Sequence, residues 1–443
     1  MTGTWANWAG NQTADCSTVH PRGVDEIAAI VALAAADGQR VKAIGSGHSF
    51  TAIGRPEQVQ VVLDRHADLV SLDTVSGRVT VQAGMTLKRL NRLLAEAGLA
   101  LTNLGDIEEQ TVAGAMATGT HGTGARFGGL ASQLRALELV LADGQVLTCS
   151  ATENPEIFAA ARVNLGALGI VSSLTLQAEP AFALRAEESS MPLDEVLGRF
   201  DELADGTDYF EFFWFPHTAS TLVKRNTRMP LEAGLEPLPA WRAWWEDEFL
   251  ANTVFGALIG LGRRVPALVR PINRVSAAAL SSRSFQDRSD RVFTSARRVR
   301  FVEMEYAVPR AAAVDLVTAI RQTIDAAGWR IGFPLEVRVT GADDIPLSTA
   351  SGRASAYVAV HLPVGVDHRP YFGAVEQIAA EHEGRPHWGK MHDLDADRLR
   401  KLYPGFDGFV SLRDRLDPAG RFTNGYLDRV LGPVGSGSAA TER

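Results

Sequence analysis

Val41-Lys42-Ala43-Ile44-Gly45-Ser46-Gly47-His48-Ser49-Phe50 is the stretch on which the reading of this chain turns. Residues 24 to 37 carry apolar side chains at helical spacing, and the short apolar run that follows reads as a buried strand ending in glycine. A helix therefore feeds a strand that opens into a loop. The loop imitates a dinucleotide fingerprint, but Phe50 stands where the third glycine of G-x-G-x-x-G belongs and no helical pattern follows. What remains is a loop whose glycines let successive backbone N–H groups approach an anion, and a pyrophosphate suits it.

A second glycine-dense run, TVAGAMATGTHGTG at 111 to 124, contains Gly119-Thr120-His121-Gly122-Thr123-Gly124. Taken alone, His48 reads as a partly exposed turn histidine. Two such loops converging on one ligand reverse that reading, and a neutral imidazole is well suited to attack an electrophilic carbon near neutral pH.

Outward from these loops, 58 to 64 and 78 to 84 have strand character, and 86 to 99 is an amphipathic helix stopped near glycine. Asp143-Gly144 between two alternating apolar runs signals a hairpin. LGIVSSLTLQAEP at 168 to 180 is a strand closed by proline, and a boundary is placed there because aromatic FEFFWF at 210 to 215 and a Trp- and Arg-rich helical stretch from 240 to 300 follow. Strands return at 302 to 309, in PLEVRVTG and at 354 to 365, with a helix between the first two, so a sheet with helices on one face is expected. Residues 251 to 262 read as a buried helix, the alternative being a membrane-surface segment.

Composition narrows the function. Acidic residues outnumber basic ones 52 to 44, against a nucleic-acid surface and in favour of a small neutral or weakly charged substrate. Cys16 and Cys149 are the two cysteines, so a disulfide scaffold and a four-cysteine zinc site within one chain are excluded and a reducing cytoplasm is expected. The N-terminus lacks signal-peptide character, and no run approaches the roughly 20 apolar residues of a transmembrane helix. His382, His387 and His392 match no metal-binding spacing, and no metal is expected.

GSGHSF, TVAGAMATGTHGTG, GALGIV at 166 to 171, and the C-terminal RPHWGK and LDPAGRFTNGYL together resemble the aldonolactone oxidoreductases, close to the bacterial alditol oxidases, in the vanillyl-alcohol-oxidase-type FAD superfamily. The resemblance covers nearly the whole chain. It implies an α+β fold with a two-subdomain FAD-binding domain over 1 to 178, a substrate (cap) domain with an antiparallel sheet over 179 to 404, a segment at 405 to 431 returning to the first domain, and a disordered tail from 432 to 443. It further implies FAD held covalently through its 8α-methyl carbon by His48. Gly45, Ser46, Gly47 and Ser49 would hold the pyrophosphate; Gly114, Thr118, Gly119, His121 and Gly122 would line the flavin, and Ile170 the adenine side through its backbone.

Oxidising an alcohol with a flavin requires loss of the hydroxyl proton and positive charge near the reduced ring. Glu336 and Arg338 lie two apart on a predicted strand and share one face. By themselves they read as a surface ion pair; the resemblance makes Arg338 the hydroxyl-activating, anion-stabilising group and Glu336 a substrate-positioning one. Lys390 matches the family's active-site lysine, beside the flavin and the substrate, and His361 a substrate-contacting histidine. Pro363 replaces a threonine of the alditol enzymes, while 249 to 274 and VEMEYAVP resemble gulonolactone oxidases, so a sugar lactone is the expected substrate and a polyol the alternative. Gly114, near the position said to gate oxygen, implies an oxidase producing hydrogen peroxide, with a dehydrogenase as the alternative.

Overall fold

The computed structural model describes residues 2–435. The chain starts as an antiparallel pair, β1 (Thr2–Ala6) and β2 (Thr13–Val19). The helix expected at 24 to 37 forms at Val24–Ala36, burying Ile27, Val31 and Ala34, and delivers the chain to β3 (Val41–Ile44). β3 and β4 (Val59–Val62) pair in parallel, β4 also pairs with β2, and the sheet order is β1-β2-β4-β3. The GSGHSF loop thus leaves the carboxyl end of an edge strand, a place where backbone N–H groups stay free for a ligand.

A second, antiparallel sheet contains β5 (Leu69–Asp73) and β6 (Arg78–Gln82). After the helix Leu87–Glu96, whose first turn is capped by Thr86 Oγ1 accepting from Arg89 N, comes the short β7 (Leu99–Ala100). β8 (Leu134–Val140) and β9 (Val146–Ser150) form the hairpin expected at Asp143-Gly144, and β10 (Ile170–Gln177) completes the order β5-β6-β10-β8-β9. The TVAGAMATG run forms the helix Val112–Ala117 and packs against β10. β11 (Glu179–Pro180) pairs with β7 just before the chain changes sheets.

All the remaining strands enter one antiparallel sheet of order β15-β12-β14-β13-β17-β18-β16-β19. They are β12 (Phe182–Pro192), β13 (Tyr209–Trp214), β14 (Ser220–Pro230), β15 (Arg283–Arg288), β16 (Phe301–Pro309), β17 (Leu335–Thr340), β18 (Ser355–Pro363) and β19 (Arg385–Pro386). The helices Ala313–Ala326 and Arg369–Glu381 cover one face, where Met304, Tyr306, Val337, Val358 and Val360 are buried. The α+β class with an antiparallel sheet is what the sequence implies.

Two local expectations fail. The stretch from 240 to 300 is not helical throughout: helices at Phe255–Arg264 and Val269–Ala278 are followed by β15, which pairs with β12. Residues 251 to 262 do not form a buried helix either, since only Asn252, Ile259 and Gly262 are buried there. The segment caps a cavity with one side and faces solvent with the other, and just before it Trp241, Trp244 and Trp245 are 71%, 58% and 46% exposed. Among the described residues no helix is long and apolar enough to cross a membrane.

The end of the chain returns to the first sheet. Val41 N donates to Arg421 O at 2.8 Å, and the Asn424 amide donates to the carbonyls of Ala52, Ile53 and Arg55. Of the tail expected to be disordered, 436 to 443 lie outside the described residues, whereas the carbonyls of Gly432 and Pro433 accept from the buried Arg413 guanidinium.

Candidate active site

The two glycine-rich loops meet. A Cβ on Gly45 would lie 2.2 Å from Thr111 Oγ1, and Gly47 has φ +69°, so neither position accepts a larger residue without movement. Between the loops lies a cleft of about 100 Å³ lined by Lys42, Gly45, Ser46, Gly47, His48, Ser49, Thr111, Gly114, Thr118 and Gly166, among others. Glycine backbone and hydroxyls form a donor set that fits a diphosphate, while Lys42 donates to the carbonyls of Leu165, Gly166 and Phe422 behind it. His48 stacks on Trp8 with ring centroids 5.5 Å apart. Burial pushes its pKa down, with Glu109 pulling the other way, so the ring is neutral at neutral pH.

The first loop is also tied to the segment carrying Lys390. Phe50 N donates to Gly389 O at 2.7 Å and Thr51 Oγ1 to Trp388 O at 3.0 Å. On its other side Trp8 N donates to Gly47 O and the Asn7 amide to Ser49 O. His48 and Lys390 are therefore positioned by one hydrogen-bonded unit, although 342 residues separate them in sequence (390 less 48).

A second cavity, about 170 Å³, shares Gln110 with the first as a common lining residue. Its floor is the other face of the large sheet. Register puts Glu211 and Phe213 of β13 opposite Arg338 and Glu336 of β17, these beside Tyr357 and Ala359 of β18, and His361 and Ala359 opposite Glu303 and Glu305 of β16. Alternation along each strand aims all of these side chains at the cavity side while their neighbours enter the core.

The floor is ionic and buried. Arg338 Nε donates to Glu211 Oε2 at 2.8 Å, its Nη2 lies 2.5 Å from Glu336 Oε1, and Asp106 Oδ1 is 3.8 Å away. Asp106 also accepts from Arg297 Nε and Nη2, at 2.9 and 2.5 Å. Burial alone would depress the pKa of Arg338, but the three carboxylates more than offset it and hold the guanidinium charged. Burial raises that of Glu336 despite Arg338, because Asp106 and Glu211 compete for the same cation. Lys390 Nζ contacts Glu303 Oε2; burial works against its charge, and Glu303 and Glu305 outweigh it.

Of the residues singled out from sequence, His48, Gly45, Ser46, Gly47, Ser49, Gly114 and Thr118 line the cleft, and His121, Glu336, Arg338, His361 and Lys390 line the second cavity. Gly119, Gly122 and Ile170 line neither, nor does Pro363. Gly122 instead packs against Asn103 and Leu104: an added Cβ would stand 2.2 Å from Asn103 Oδ1 and from Leu104 O. Gly122→Ala is expected to destabilise the protein by about 2–4 kcal/mol, as backbone must move in a packed core. A thermal melt beside the parent reads this as a drop of several degrees.

Asp106, Glu211, Arg297, Glu303 and Glu305 escaped the sequence reading, which considered His387 only as a metal ligand. The alternating glutamates of VEMEYAV, charges every second residue in an otherwise apolar strand, were the available signal.

His121, Glu305 and His387 bring ligand atoms within 4.8 Å of one another, a different trio from the histidines considered in sequence. His121 Nδ1 must donate to Gly122 O at 2.9 Å, and His387 Nδ1 accepts from Gly389 N at 3.1 Å, leaving the proton of His387 on Nε2. Burial takes the His387 pKa down to about 3, and the charge on Lys390 bears on Glu305. With the Nδ1 lone pair of His387 already used and an ammonium close by, the trio is poorly suited to a cation.

Comparison with known proteins bears on both cavities. The family model described as D-arabinono-1,4-lactone oxidase matches residues 174–430, and that of an FAD binding domain matches 17–150. L-gulono-1,4-lactone dehydrogenase of Mycobacterium tuberculosis (strain H37Rv) is 41% identical over 434 residues, 98% of this chain and 100% of that protein. L-gulonolactone oxidase of Bos taurus is 34% identical, covering 96% and 97%, and alditol oxidase of Streptomyces sp. 31%, covering 96% and 98%. Among solved structures, cholesterol oxidase of Brevibacterium sterolicum superposes with a TM-score of 0.83 at 18% identity, over 98% of this chain and 97% of that one, a likeness of fold. This chain belongs to the D-arabinono-1,4-lactone oxidase family and is an FAD-dependent oxidoreductase.

Proposed function

We propose that the protein oxidises an aldonolactone of the L-gulono-1,4-lactone type with FAD attached covalently to His48. The observation that carries this reading is that the two cavities share Gln110, with a neutral His48 lining one and the Arg338–Glu336–Lys390 cluster the other. The bound cofactor supplies the hydride acceptor. The 45–49 loop would hold the pyrophosphate through its N–H groups, with Gly114 and Thr118 against the ring system, His121 beyond Gln110, and Gly119, Gly122 and Ile170 in supporting backbone roles.

In the second cavity, Glu336 hydrogen-bonds a substrate hydroxyl and positions it, its carboxylate held in place by the Arg338 guanidinium. Arg338 polarises the hydroxyl that reacts and stabilises developing negative charge, and Lys390 stands beside it. His361 contacts the sugar. Each cation is already matched by carboxylates, so the cavity suits a neutral polyhydroxylated ring. The domain division proposed is 1–178, 179–404 and 405–431, and two free, buried cysteines fit a reducing cytoplasm.

Oxygen is the proposed acceptor, with hydrogen peroxide as product, because Gly114 puts no side chain into the cleft it lines. A relative named a dehydrogenase favours a second reading in which another acceptor takes the electrons. Steady-state kcat/KM with L-gulono-1,4-lactone and with xylitol, each with oxygen and with a dye, tests both parts. The lactone is expected to be favoured over xylitol by at least about a hundredfold, the scale of a small mismatch in pocket shape. A preference for xylitol would replace the lactone by a polyol, and turnover with the dye alone would make the enzyme a dehydrogenase.

A further inference from the structure

Hydride removal from an alcohol leaves a hydroxyl proton to be taken up, and the groups named so far are poor takers. Arg338 and Lys390 are held charged by the carboxylates around them. Burial raises the pKa of Glu336, but its Oε1 is already taken by Arg338 Nη2. The cavity offers another acceptor on β16. Glu303 is 5% exposed, and its Oε2 contacts Lys390 Nζ. Its Oε1 lies 3.5 Å from His361 Nε2, across the register pair Glu303↔His361.

The tautomer of His361 makes that contact informative. Nδ1 lies 3.3 Å from Pro334 O, and since a carbonyl only accepts, Nδ1 carries the proton of the neutral ring. Nε2 therefore turns a lone pair toward a carboxylate oxygen. Without a further proton the two lone pairs repel; with one, they share a hydrogen bond. The pair is a vacancy for a single proton, one contact away from the ammonium beside the reacting hydroxyl.

We infer that Glu303 and His361 together form the terminal proton acceptor of the reaction, loaded through Lys390. As the substrate C–H bond breaks and its hydrogen leaves with both electrons to the flavin, the O–H bond breaks and the carbon–oxygen double bond forms. The hydroxyl proton passes to Lys390 Nζ while Lys390 gives one of its own to the Glu303 carboxylate, which shares it with His361. Lysine ends with the charge it began with, two electrons are on the cofactor, and one proton is on the pair. Glu303 is thus a positioning residue for proton transfer that acts through Lys390, and the inference rests on the proposed lactone oxidation.

The groups facing Glu303 are Lys390 from the loop, His361 from β18 and Glu305 from its own strand, with Glu336 of β17 across the cavity acting on His361; against burial, Lys390 and His361 hold the Glu303 carboxyl below its usual range, which puts the acid limb at low pH. At low pH the vacancy is filled, so the anaerobic rate of flavin reduction by L-gulono-1,4-lactone is expected to rise tenfold per pH unit along an acid limb and then level off. Glu303→Gln keeps the shape but not the acceptor. It is expected to lose that limb and to lower the plateau about a hundredfold, within the range of general-base effects, while the flavin spectrum shows the protein folded. Glu303→Asp, which keeps the acceptor at shorter reach, should restore the limb and part of the rate.

A Glu303→Gln rate within threefold of the parent, with the limb intact, would overturn the inference alone. Failure of the parent to be bleached by the lactone would overturn the functional reading and this inference with it. If Glu303→Gln does not fold, the Asp variant decides: an unchanged plateau and limb contradict the role, and a lowered plateau with the limb kept supports it.

Discussion

Arg338→Met is expected to slow flavin reduction about a thousandfold, because a preorganised cation is removed from where negative charge develops in a water-poor site. The same change leaves Asp106, Glu211 and Glu336 without the guanidinium that separates them. Asp106 keeps Arg297 and Glu211 keeps Lys224, but Glu336 loses its cation, and an unpaired buried carboxylate costs roughly 3–5 kcal/mol, so a lower melting temperature should accompany the lost rate. Arg338→Lys tests geometry apart from charge. A lysine keeps one positive charge but cannot aim Nε at Glu211 and Nη2 at Glu336 together, so most of the rate should remain lost while part of the stability returns. Stopped-flow reduction and thermal melts on the two variants separate these effects. A parent-like rate in Arg338→Met would remove Arg338 from the chemistry.

His48→Ala carries the second large effect. The parent, precipitated in acid, should keep its yellow colour in the pellet, and the variant should release all of it to the supernatant. The neutral ring beside Trp8, on a loop pinned by Asn7, Trp8 and the Gly389 segment, is what this expectation rests on. The pinning contacts do not involve the imidazole, so the variant should fold and bind FAD reversibly. Colour retained in the variant pellet would place the linkage on another residue.

Much of this site could be read from sequence because its parts are local. GSGHSF announces a loop after a strand through two glycines, and Glu336-x-Arg338 announces a shared face through a spacing of two. What stayed hidden depends on partners distant in the chain. Asp106 has no sequence neighbour to suggest that Arg297 will bind it, and Glu303 gains its meaning from Lys390 and His361. β15 was missed for a physical reason of the same kind. Arg283-Ser284-Phe285-Gln286-Asp287-Arg288 has almost no apolar alternation, since this edge strand is held by pairing with β12 and by Arg283 binding Glu188. The 251 to 262 segment misled in the opposite direction. Its apolar residues imitate a core helix, yet it uses Ala251 and Phe255 to roof a cavity and leaves Leu261 in solvent.

The most direct test of the account is anaerobic mixing of the purified yellow protein with L-gulono-1,4-lactone while flavin absorbance is followed. Rapid bleaching by the lactone, with little by xylitol at equal concentration, is the predicted result. Flavin that stays oxidised in the lactone while xylitol bleaches it would contradict the claim that this cavity is built for a sugar lactone.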